Sequence, residues 1–244
     1  MLRLERMLNK TISYCIGFTF LSLSFFISCN DKQEPTQISP KTVKTESFTF
    51  FDLGNNTNLN KNNRKALKKK LGRDAIERRS ILDLEINYRG FLKKYFSDLN
   101  ELNQQLNFPP GERVEHNTIK LMYRYALKEN VPFEYVELVF SGYTRKPILF
   151  RIYFRKDEAN IIETLKTKYG QPEVIDWQEE NGKSLYWKKN ADYLIVSLVP
   201  DQFGVQEYQI IIYYVDNLRE LIETEEIERE TKEKERKRSG KRAF

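Results

Sequence analysis

"ADYLIVSLVPDQFGVQEYQIIIYYV", residues 191–215, decides the fold class. Within it, Tyr193 to Val199 and Glu207 to Val215 combine β-branched and aromatic residues with period-two alternation, the pattern of strands. The pattern recurs upstream in "EYVELVF" (Glu134 to Phe140) and "ILFRIYF" (Ile148 to Phe154). Two shorter segments, "VIDW" (Val174 to Trp177) and "SLYWK" (Ser184 to Lys188), flank the hairpin-like "QEENGK".

Helical spacing separates these strands. Asp157 is placed to cap "EANIIETLKTKYG", in which Ile161, Ile162, Leu165 and Tyr169 form a stripe, and Gly170 and Pro172 end it. In the basic segment Asn63 to Ser80, Leu67, Leu71 and Ala75 recur every four residues. Ser80 with Asp83 reads as a capping box ahead of a helix bearing Tyr88, Phe91, Leu92, Tyr95, Phe96 and Leu99, although Leu82, Leu84, Ile86 and Tyr88 also alternate like a strand. The expected class is α+β, an antiparallel sheet covered by helices on one face. The two halves share the order helix, proline-glycine break and three strands, with Leu121 to Tyr125 opposite Leu185 to Trp187. That order predicts tandem helix-plus-three-strand units at about 97–154 and 157–216.

The N-terminus has its own logic. Arg3, Arg6 and Lys10 precede an uncharged run from Thr11 to Ser28, the n-region and h-region order of a secretory signal. The run ends in "FFISCNDK", and Phe26-Ile27-Ser28-Cys29 resembles the bacterial lipobox, with Phe26 where leucine is commonest. The resemblance implies cleavage between Ser28 and Cys29 and a lipid on the Cys29 thiol. Two or three acyl chains, at about 0.8 kcal/mol per buried methylene, hold a protein at a membrane where one chain does so only marginally. An uncleaved membrane anchor is the rival reading, since the run just spans a hydrocarbon layer. The Asn-, Thr- and Lys-rich stretch that follows, with Pro35 and Pro40, reads as a tether over 29–60, save for the strand-like "FTFFDL" at Phe48 to Leu53.

The expected organisation is therefore signal peptide 1–28, tether 29–60, globular domain 61–216 and charged helical tail 217–244. The tail carries four-residue pairs Glu225/Arg229, Glu228/Lys232, Glu230/Lys234 and Glu233/Lys237. The net charge of +6 hints at nucleic acid, but an export signal argues against that partner. Basic runs such as Arg64 to Arg79 and "KERKRSGKR" instead suggest anionic lipid headgroups or anionic polymers, weighed against plain solvated helix faces.

Catalytic residue types are scarce. Cys15 and Cys29 are the two cysteines and both lie in the N-terminal apolar stretch, so the globular part has neither a disulfide nor a thiolate metal site. The single histidine, His116, sits near Glu112 and Glu115 and reads as a strand-edge residue before an acid-base group. No phosphate loop, paired cysteine ligands or nucleophile elbow occurs in the sequence, and no cofactor or metal is expected. Glu179 and Glu180 fall in the expected turn.

A helix, then "YGQP", then strands bearing Trp177 and Trp187 resembles the small outer-membrane-assembly lipoproteins of the BamE type. The resemblance covers about 60 residues per unit and implies binding to protein partners without catalysis. In a sheet covered on one side, Tyr186, Trp187, Tyr193, Tyr208, Tyr213 and Tyr214 exceed what one core face needs, which marks them as a partner-binding surface. The expectation is a non-enzymatic, lipid-anchored bacterial envelope protein, its domain on the periplasmic or extracellular side, binding another envelope protein. The alternative is an envelope hydrolase acting on glycan or peptide, which requires two carboxylates converging in a cleft.

Overall fold

The computed structural model describes residues 47–124, 128–129, 131–155, 159–177, 182–200 and 206–243. The lipobox residues Ser28 and Cys29, the Asp157 cap and the Glu179–Glu180 pair lie outside the described residues. Among the described residues are helices α1 (Lys61–Leu71), α2 (Phe91–Tyr95), α3 (Ser97–Leu106), α4 (Ile161–Tyr169) and α5 (Val215–Ala243). The strands are β1 (Ala75–Ser80), β2 (His116–Tyr123), β3 (Tyr135–Ser141), β4 (Pro147–Phe154), β5 (Glu173–Trp177), β6 (Gly182–Lys189), β7 (Asp192–Pro200) and β8 (Gln206–Tyr213).

All eight strands form a single antiparallel sheet in the order β1-β2-β3-β4-β8-β7-β6-β5. The fold is α+β. Its topology is two successive four-strand meanders whose last strands meet, Leu149 to Phe154 pairing with Tyr213 to Tyr208. Each meander follows a helix, α1 or α4, so the unit is a helix and four strands instead of three. β2 does correspond to β6. The counterpart of α4 is nevertheless α1, because α4 and α1 contribute to one core cluster while α3 contributes to the other.

Period-two alternation sends side chains to both faces, and both are covered. On the first face Leu138, Phe150, Ile152 and Ile212 pack with Leu67 and Leu71 of α1 and with Leu165 and Tyr169 of α4. On the second, Val139, Leu149, Ile195 and Ile211 meet Leu99, Leu102 and Leu106 of α3 and Leu218 and Leu221 of α5. The expected single covered face is corrected accordingly. At about 25 cal/mol per Å² of buried apolar surface, a two-sided core gains a second hydrophobic layer from the same strands.

Local readings change for local reasons. Residues 47–60, expected as the end of a tether, belong to the folded body, since Phe48 and Leu53 are 1% and 3% exposed and the Phe50 and Leu53 backbones exchange hydrogen bonds at 3.0 Å. The basic helix ends at Leu71, where Gly72 takes φ 108°, and "AIERRS" continues as an edge strand guarded by charge. Ser80 ends that strand, its hydroxyl 2.7 Å from that of Thr118, and caps no helix. The expected helix over 80–99 begins only at Phe91 and breaks at Phe96, whose φ of −139° is not helical.

Candidate functional site

Where α3 and α5 do not cover the second face, the sheet turns polar. Glu77, Lys120, Glu137 and Arg151 alternate in sign across β1, β2, β3 and β4 because Glu77 registers with Lys120 and Glu137 with Arg151. Lys120 Nζ lies 3.4 Å from Glu77 and 3.9 Å from Glu137, and Arg151 donates to Glu137 Oε1 at 3.0 Å. Tyr135 donates to Glu137 Oε2 at 2.8 Å. Burial, reinforced by that carboxylate, holds the Tyr135 phenol well above its ordinary range, and burial also raises Tyr153. Arg151 reaches further, donating to the Asp83 carbonyl.

That contact anchors a wall. Residues 82–90 are held by Asn103, which accepts from Leu84 N at 2.9 Å, and by Asn107, which donates to Leu82 O at 3.0 Å. Glu85 accepts from Gly90 N at 2.7 Å and Leu92 N at 3.3 Å, satisfying the free N–H groups at the start of α2. Between this wall and the sheet lies a cavity of about 1060 Å³, lined by Asp83, Glu85, Asn87, Arg89, Asn103, Asn107, Tyr153 and Gln209 among others. Gln209 donates to Tyr153 at 2.5 Å on its floor. Tyr153 is also a wall of a second cavity of about 450 Å³ with Arg124, Tyr135 and Tyr208. Asn87, in the left-handed region at φ 59°, has a buried Oδ1 with no partner among the described residues.

The chemistry of this groove is hydrogen bonding by amides, phenols and an arginine. Both oxygens of Glu137 are engaged, and Asp83 and Glu85 are turned to Asn103 and backbone N–H groups. Asp83 and Glu85, the carboxylates that line this groove, stand on the same wall and not across it from each other.

The aromatic surface read from the sequence is largely core. Trp187 and Tyr214 are buried in the first-face core and Tyr193 and Tyr213 in the second, because helices cover both faces of the sheet. Their polar tips find internal acceptors: Trp187 donates to Gly170 O at 2.7 Å, Tyr193 to Asp98 at 2.8 Å, Tyr213 to Leu84 O at 2.7 Å and Tyr214 to Phe48 O at 3.2 Å. Tyr186 and Tyr208 are half-buried. Tyr208 stacks on Phe154 and lines the second cavity, while Tyr186 donates to Glu173, whose carboxylate pushes the phenol up to about 12.

His116 is the first residue of β2, at the edge of a strand as expected. It is 3% exposed and paired with Glu225 of α5, so the expected Glu225/Arg229 pair gives way to a tertiary contact. Glu115 lies instead 3.6 Å from Arg113. Sequence reasoning missed Tyr135, Glu137, Arg151 and Tyr153, although "EYVEL" and "FRIYF" place them at alternate positions with complementary charge.

Among the described residues no group of three or more His, Cys, Asp or Glu side chains is arranged to hold a metal ion, and no helix is long and apolar enough to cross a membrane. Comparison with protein-family models, with curated proteins and with solved structures returns no match.

Proposed function

We propose that the chain is a bacterial lipoprotein that binds another envelope protein without catalysis. In this reading the signal 1–28 is removed, Cys29 carries the lipid, and residues 29–46 tether a folded body to the outer side of a membrane. The lipobox resemblance supports the anchor. The observation that carries the binding role is the groove's chemistry: amide and phenol groups line an open cavity, and its carboxylates Asp83 and Glu85 each hold internal donors through one oxygen. Such a surface suits backbone and side-chain hydrogen bonding to an extended partner segment.

The test is mass spectrometry of protein purified from crosslinked, detergent-solubilised membranes, with a photo-crosslinker at Gln104 on the groove wall. Acylated Cys29 and one reproducible envelope partner joined at residue 104 are expected. An intact N-terminal segment overturns the anchor. A Glu137→Gln variant that abolishes cleavage of an envelope glycan or peptide by the purified wild type overturns the non-catalytic role.

A further inference from the structure

The face of the sheet opposite the groove carries a different chemistry. α1 contains six cations and no acid: Lys61, Arg64, Lys65, Lys68, Lys69 and Lys70, all exposed. Leu67 and Leu71 fix its orientation by packing into the core beneath. Arg64 is tied to Asp74 at 2.7 Å and Lys70 to Asp52 at 3.2 Å. The other four lysines form no ion pair among the described residues. At spacings of three and four, Lys61, Lys65 and Lys68 share one side of the helix, with Lys69 beside them.

A second observation concerns where the preceding chain arrives. Phe48 and Leu53 sit in the same core cluster as Leu67 and Leu71. Lys168 of α4 donates to Thr49 at 2.7 Å, and Lys70 of α1 lies 4.8 Å above the Phe51 ring. The first described residues therefore lie on the α1 and α4 face, while the groove opens on the other. The 18 residues from Cys29 to position 46 span at most about 60 Å, which sets the farthest this face can stand from whatever holds the lipid.

We propose that the α1 face rests on anionic lipid headgroups of the membrane that holds Cys29, orienting the groove away from the bilayer. The proposal rests on the lipoprotein reading for its anchor. Juxtamembrane lysines gain roughly five-fold each in residence at an anionic surface, so four unpaired ones bias the orientation of a protein already tethered there. Attraction of this kind fades within a Debye length and is screened by salt.

The experiment reconstitutes the purified full-length protein in phosphatidylethanolamine vesicles containing phosphatidylglycerol, and separately in phosphatidylcholine vesicles, and labels amines with a membrane-impermeant reagent. Labelling of Lys61, Lys65, Lys68 and Lys69 is expected to fall at least three-fold in the anionic vesicles and to recover in 0.5 M salt, with α5 residues Lys234 and Lys241 unchanged as a reference. The same spectra report acylation of Cys29, so an unlipidated N-terminal peptide identifies failure of the anchor reading by itself. Equal α1 labelling on both vesicle types with Cys29 acylated overturns the orientation. Protection by a soluble polyanion without protection on anionic vesicles also overturns it, making the partner a polymer.

Discussion

His116 and Glu225 meet through Nδ1 and Oε2 at 2.7 Å, joining the first residue of β2 to the interior of α5. The other ring nitrogen lies 3.0 Å from Leu106 O at the end of α3. Each ring nitrogen faces an oxygen that accepts, one a carboxylate and the other a backbone carbonyl. Glu225 completes its set by accepting from Asn117 N at 2.7 Å. One histidine thus ties a strand to two helices.

Breaking that tie by His116→Ala leaves a carboxylate facing a cavity. The expected cost is about 3 kcal/mol, since removing one partner of a buried hydrogen bond leaves the other unsatisfied. Thermal unfolding should drop by roughly 6–12 °C for a body of this size. Glu220→Ala, which removes only the half-exposed Lys146 pair, is expected to change stability by at most about 1 kcal/mol. Equal losses in the two variants count against a buried role for His116.

Asp192 governs an acid-side dependence. Burial raises its carboxyl above the ordinary value, partly opposed by hydrogen bonds from Ser47 and from Val215 N at 2.9 Å, which starts α5. The folded protein therefore holds the proton more tightly than the unfolded chain. Its stabilising contribution is greatest below the unfolded value near 3.8 and is lost as pH rises through the folded value. Denaturant titrations of wild type and Asp192→Asn should show a pH-dependent difference across that window and a constant one above it. A difference that does not vary with pH removes Asp192 as the source.

At the alkaline end, Tyr213 and Tyr214 are wholly buried, and burial lifts both phenols far above the usual 10.0. The unfolded chain surrenders these protons first, so stability present below pH 10 is lost as pH climbs beyond it. Absorbance at 295 nm should show a tyrosine fraction that ionises together with loss of near-ultraviolet circular dichroism. Complete ionisation with the dichroism intact contradicts the two-sided core.

Gly182 opposes Trp177 across the β5–β6 pair, and a Cβ built on it overlaps the indole. Gly182→Ala is expected to displace Trp177 from its packing with Tyr88 and Phe91, at roughly 1–3 kcal/mol. Tryptophan emission should shift to the red. An unchanged spectrum with unchanged stability means that the hairpin accommodates the methyl by moving.

The strands of the second half were legible because Leu194, Val196, Ile210 and Ile212 alternate with residues of similar apolarity, a signal that needs no tertiary context. That same apolarity on both sides held the clue to a doubly covered sheet, since Ile195 and Ile211 are as hydrophobic as their neighbours. β1 was hidden because an edge strand rich in arginine has the composition of a solvated helix. The groove was hidden for another reason. Arg151 and Glu137 are fourteen positions apart and meet only through strand register, while Asp83 reaches them from a loop whose apolar residues suit a helix or a strand equally.

The junction of β4 with β8 has a kinetic consequence. Within the two meanders the strand connections are short apart from residues 81–115, which carry α2 and α3 between β1 and β2. The central pairing of Leu149 with Tyr213 closes a loop that spans the whole second meander. Non-local closures of this kind are slow relative to hairpin formation, so the β2–β4 and β5–β8 hairpins are expected to form first, with the β1–β2 and β4–β8 pairings last.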